Sequence, residues 1–166
     1  MEYVADFHIH SRFSRSTSQQ MNLFTLNQWA QLKGLKVIGT GDFTHPKWFS
    51  ELRTGLIPAE PGLFQLKAEI EESEGTFVPS SCASEVRFIL SAEISTIYKK
   101  NEKVRKVHHL LLMPDLPSVA RLNAMLERVG NIKSDGRPIL GLDSRNLMQM
   151  VLDSSEDAVV IPAHAW

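Results

Sequence analysis

The chain carries six histidines, His8, His10, His45, His108, His109 and His164, and none falls in a segment with helical periodicity. A neutral imidazole nitrogen is a common ligand for divalent metals, so histidines gathered from separate strands and loops are a pattern that could hold ions. His8 and His10 close the apolar run "YVADFHIH". On an extended strand that spacing puts both on one face together with Asp6, which is placed to accept from a ligating ring and fix its tautomer. His108 and His109 sit inside a second β-rich run, where neighbouring residues point to opposite faces. Only one of those two can reach a shared site, and the spacing does not say which. His45 follows the run "VIGTGDF", and His164 lies near the end of "DAVVIPAHAW".

Two carboxylates fit the same scheme. Glu93 lies within the apolar "ILSAEIS", where an unpaired charge is costly, so it needs either a cation such as Arg87 or a metal. Asp42 ends "VIGTGD" and reads either as a ligand or as a cap for the segment that follows. Imidazole and carboxylate donors together suit zinc, manganese or iron, and a shared carboxylate permits more than one ion. Asp143 reads as a helix cap and Glu85 as a solvated strand-edge residue. Arg12 and Arg15 flank Phe13 just after the histidine pair, where they suit gripping a phosphate or stacking on a base. A second basic segment, "KKNEKVRK", puts Lys99, Lys100, Lys103, Arg105 and Lys106 at a hairpin turn. They serve there either as contacts to a nucleic-acid backbone or as a solvated tip.

The elements that must position these groups alternate between strands and helices. A strand over residues 3–9, a helix from the cap Asn22 through "LFTLNQWAQLKG" and a buried strand at "LKVIGTGDF" form a right-handed βαβ unit. The stretch from Thr44 to Pro61 reads as a long loop around a short helix, and "GLFQLKAEIEESEG" as a helix with an acidic face. "EVRFILSAEISTIY" and "KVRKVHHLLLMP" read as an antiparallel hairpin. Helices at "LPSVARLNAMLERVG" and from about Ser144 to Leu152 precede a last buried strand at "DAVVIPAHAW". This is an α/β pattern, read as one domain over residues 1–166.

Composition narrows the function classes. With 43% hydrophobic residues and a net charge of −1, the chain can bury a core, and any nucleic-acid affinity must come from local patches. The single cysteine, Cys82 in "PSSCAS", forms no internal disulfide and fits a reducing, cytoplasmic setting. No apolar run reaches the roughly 18 residues that cross a bilayer, and no leader pattern opens the chain. There is no P-loop and no GxSxG elbow, so nucleotide-driven motor chemistry and a serine nucleophile are not encoded here.

In order, "DFHIHS", "GTGDFTHP", "SAEIS", "VHHLLL" and "IPAHAW" resemble the motifs of the PHP (polymerase and histidinol phosphatase) superfamily. The wording is most similar to endonuclease Q and to the PHP regions of bacterial repair helicases. The resemblance implies a distorted (β/α)7 barrel with two or three divalent ions at its mouth. It implies that His8, His10 and Glu93 hold one ion, and that Glu93 bridges to a second held by His108 and His164. Asp42 and His45 fall where a third-metal or supporting group stands, although "GDF" replaces the usual "TDH". The last motif of the superfamily is absent, which implies an N-terminal part of the barrel continuing into further domains. The implied activity is hydrolysis of a DNA phosphodiester 5′ to a deaminated or abasic lesion, in damaged duplex or single strand. The ions would activate and orient a water and stabilise the leaving oxygen, with Glu93, His108 and Asp42 as the catalytic groups. A phosphatase of the histidinol-phosphate type and a non-catalytic module of a helicase or polymerase are the alternatives.

Overall fold

The βαβ unit is present in the computed structural model, which describes residues 2–70 and 77–164. Strand β1 (Val4–Asp6) pairs in parallel with β2 (Leu35–Gly39) across helix α1 (Leu23–Leu32). The Asn22 side chain accepts from the Thr25 N–H to start that helix, and Gly34, at φ +69°, turns the chain out of it. β1 is shorter than its sequence suggests. The ladder stops at Asp6, so His8 and His10 stand on the backbone just beyond its end.

The stretch after β2 is more regular than a loop. Helix α2 (Pro46–Gly55) has proline in its first turn, where no backbone donor is lost, and runs directly into β3 (Leu56–Pro58). β3 pairs antiparallel with β4 (Phe64–Leu66), which corrects the helical reading of "GLFQL". Phe64 and Leu66 enter the core at a period of two, and their backbone groups are satisfied by the ladder. Residues 68–70 are helical, and the acidic remainder of that expected helix lies outside the described residues.

The long strand β5 (Arg87–Lys100) organises the rest. Near its start it pairs with β2 in parallel and β4 antiparallel; further along it pairs with β6 (Lys103–Met113) antiparallel and β7 (Ile139–Leu140) in parallel. Helices α3 (Leu116–Leu126) and α4 (Ser144–Ser154) are capped by the Asp115 and Asp143 side chains, as read for Asp143. β8 (Val159–Ala163) adds antiparallel to β6. The outcome is a mixed α/β fold whose sheet curls into a half-barrel, with antiparallel pairs prominent beside the parallel ones. Phe88, Leu90, Ile94, Leu111, Trp48 and Leu122 fill its core without exposure.

β8 departs from the buried strand expected. Val159 is 47% and Ile161 39% exposed, and among the described strands β8 pairs with β6 alone. No helix among the described residues is long and apolar enough to cross a membrane.

Candidate metal centre

Glu93 sits in the middle of β5 between Ala92 and Ile94, and it is 2% exposed. Arg87, the alternative partner, is taken by Glu60 and Glu85. The Glu93 carboxylate instead faces four imidazoles. Its Oε2 lies 3.3 Å from His8 Nε2 and 3.3 Å from His10 Nε2. Its Oε1 lies 2.5 Å from His108 Nδ1 and 3.3 Å from His164 Nε2. One buried carboxylate therefore serves two histidine pairs, one with each oxygen. Two groups, His8, His10 and Glu93, and Glu93, His108 and His164, each keep their ligand atoms within 4.8 Å of one another.

Strand register explains how distant residues converge. Ser95 is paired with His108, and Glu93, two residues back on β5, shares the face of Ser95. His108 thus reaches Glu93, while its neighbour turns away. His109 hydrogen-bonds Thr96 and Ser144 on the opposite face, where burial, together with the charge of His108, lowers its pKa. His164 follows β8, whose Ala163 is paired with His108.

Asp42 belongs to neither group. The backbone turns left-handed at Gly41 and Asp42, at φ +64° and +50°, and swings this fully buried carboxylate under the first histidine pair. Its Oδ1 takes a hydrogen bond from His10 Nδ1 at 3.0 Å. Its Oδ2 accepts from the Ser11 N–H at 2.6 Å, from Ser11 Oγ at 2.8 Å and from Ser14 Oγ at 2.9 Å. With Nδ1 held as a donor to Asp42, His10 turns Nε2 toward Glu93, so once that nitrogen gives up its own proton its lone pair is directed at the site, the usual arrangement of a carboxylate behind a ligating imidazole. Asp6, expected in that role for His8, accepts only the His8 backbone N–H. Burial works against a charged His10, but hydrogen bonds to Asp42 and Glu93 outweigh it and raise its pKa to about 9.

His45 also stands outside both groups. It occupies the cap position of α2, 7% exposed, and stacks on Phe13 with ring centroids 4.4 Å apart. Burial lowers its pKa, and its Nδ1 has no hydrogen-bond partner. Arg12 is committed to α2 through Glu51 at 2.6 Å and lies over the Phe13 ring, whereas Arg15 is 82% exposed near Asp135.

Four residues near the site were not singled out from sequence: Ser11, Ser14, Gly136 and Arg137. Arg137 bonds the Arg15 carbonyl, and its charge is felt at His10. Gly136 donates to the Phe13 carbonyl and packs on Asp42. A Cβ there would lie 2.4 Å from Asp42 Oδ2 and 2.6 Å from Ser14 Oγ, atoms fixed by their own hydrogen bonds. Gly136→Ala is therefore expected to lower stability by about 1–3 kcal/mol, the usual cost of overpacking. It should also weaken metal uptake at His8 and His10, both read by thermal melting with and without metal.

A carboxylate shared by four imidazoles, with no arginine or lysine at salt-bridge distance among the described residues, is a donor set that could hold metal ions. The crystal structure of a lesion-specific endonuclease from Pyrococcus furiosus aligns with 98% of the chain at a TM-score of 0.73 and 32% identity. The chain resembles endonuclease Q. A second endonuclease Q structure, in complex with a 27-mer duplex carrying an abasic lesion at the active site, matches 97% of the chain at a TM-score of 0.74 and 32% identity. An uncharacterized protein of Methanocaldococcus jannaschii is 31% identical over 160 residues, which is 96% of this chain. The chain spans 34% of each endonuclease Q chain and 16% of the Methanocaldococcus protein. No family model matches it.

Proposed function

We propose that this chain forms the metal-holding part of a lesion-specific DNA endonuclease, hydrolysing a phosphodiester bond 5′ to a deaminated or abasic nucleotide. The observation that carries the reading is the bridging position of Glu93, with His8 and His10 at one oxygen and His108 and His164 at the other. Two ions of zinc, manganese or iron suit these donors. Bound there, they supply the Lewis acidity that activates water and stabilises a leaving oxygen. The chain's own residues do the positioning. Asp42 keeps the His10 proton on Nδ1, Ser95 Oγ sits 3.3 Å from His108 Nδ1, and hydrogen bonds from His10, His108 and His8 offset burial to keep Glu93 ionised. Arg15 and Arg137 offer cations to a phosphate beside the site.

The test is a nicking assay on the intact gene product. Duplexes with uracil, hypoxanthine or an abasic site should be cut 5′ to the lesion, with activity lost on chelation and restored by one of the three metals. Equal cutting of undamaged duplex would remove the lesion preference, and a metal-free, inactive protein would remove the enzyme.

A further inference from the structure

The β5–β6 hairpin extends well past the residues that face Glu93. Its register runs unbroken from Leu90↔Met113 to Lys100↔Lys103, closed by Asn101 and Glu102 at φ +50° and +61°. Two left-handed central residues make the tight hairpin turn whose twist matches the strands, so side-chain alternation persists to the tip. The alternation divides the five cations of "KKNEKVRK" between two faces. Glu93, Ser95, Ile97 and Lys99 share one face of β5, and His108 and Lys106 share the corresponding face of β6. Lys100, Lys103 and Arg105 fall on the other face with Thr96, Tyr98 and His109. That second face is anchored at its base by Ser144 of α4, which bonds Thr96, His109 and Tyr98.

We propose that the metal-side face of this arm, through Lys106 and Lys99, is a guide for the phosphate backbone of the strand being cut. The proposal rests on the nuclease reading above. At about 3.4 Å per strand residue, Lys106 lies ~7 Å and Lys99 ~14 Å along the ribbon from His108. Cations spaced this way along one ribbon face suit neighbouring phosphates of a single DNA strand, which wind around the duplex axis and so lie farther apart than its axial rise. Both lysines are exposed, and among the described residues neither has a carboxylate at salt-bridge distance. Their charges are thus free for a polyanion, and they line one path from the cluster rather than scattering over a tip.

The experiment compares two charge-matched variants of the intact protein, Lys99→Ala/Lys106→Ala and Lys103→Ala/Arg105→Ala. Binding to an abasic duplex is followed by fluorescence anisotropy across a salt series, without added metal so that nothing is cut. Losing two phosphate contacts should lower the slope of log K against log salt by about 1.8 in the first variant. The second should change the slope by less than about 0.5, with unaltered melting in both and recovery in Lys99→Arg/Lys106→Arg. Equal changes in the two variants, or none in the first, would overturn the face assignment while leaving the nuclease reading intact. A wild-type protein that neither binds nor nicks DNA would instead overturn that reading, and the guide with it.

Discussion

Glu93→Gln is expected to empty the centre and reduce hydrolysis by about a thousandfold or more. Glutamine keeps the shape of the side chain but offers one acceptor oxygen and a donor amide, so one histidine pair would face an N–H instead of a carboxylate oxygen. The negative charge that a bridging ligand gives to both positions is lost as well. Ion chemistry of this kind supplies several kcal/mol of transition-state stabilisation, and each 1.36 kcal/mol is tenfold in rate. Elemental analysis of wild-type and variant protein, alongside the nicking assay, checks both halves. Full metal content and activity in Glu93→Gln would sink the bridging role.

The same cluster sets how the metal-free chain responds to pH. Burial raises the pKa of Glu93, but hydrogen bonds from His10, His108 and His8 outweigh it and depress the value below the usual 4.5. Its stabilisation is therefore present above about 4.5 and is lost as pH falls through the depressed value. His10 moves the other way, from 6.5 up to about 9, so its share is complete below about 6.5 and lost as pH rises through about 9. Metal must displace the His10 proton, so uptake strengthens as pH rises over that same upper window.

Much of this centre was legible in the sequence because two of its signals are local. A glutamate inside an apolar strand demands a partner, and HxH at a strand end is a compact donor pair. The hairpin placed His108, yet the choice between His108 and His109 needed the pairing of Ser95 with His108, which no spacing supplies. Asp42 and His45 were harder for a physical reason. The turn at Gly41 and Asp42 reverses the chain by left-handed dihedrals, so residues three apart finish in different environments, one behind His10 and one in the Phe13 stack. Ser11, Ser14 and Gly136 act only through contacts between loops, which carry no periodicity. The fold showed the same division. The βαβ unit and the hairpin follow from hydrophobic period, whereas the three-residue β4 is set by its pairing with β3 rather than by any run of its own.

Asp42→Asn should separate the folding role of this residue from its hold on His10. Residues at positive φ are tolerated best when they are glycine, asparagine or aspartate, so the turn at φ +50° survives the change. The Ser11 N–H can only donate, which forces the asparagine to place its oxygen there and its amide toward His10 Nδ1. His10 must then accept at Nδ1 and carry its proton on Nε2, the atom facing Glu93 and the metal position. A ligating nitrogen that bears a proton has no lone pair to give. Metal affinity at the His8 and His10 position is expected to fall by about 10–100-fold, as for other partners behind a ligating histidine, while melting drops by little. Asp42→Ala removes the acceptor altogether and leaves the buried Ser11 N–H without a partner, costing about 1–3 kcal/mol for that unpaired donor. Titration of metal into both variants, followed by melting, distinguishes the two roles. Undiminished affinity in Asp42→Asn would mean that His10 does not depend on Asp42 for its tautomer.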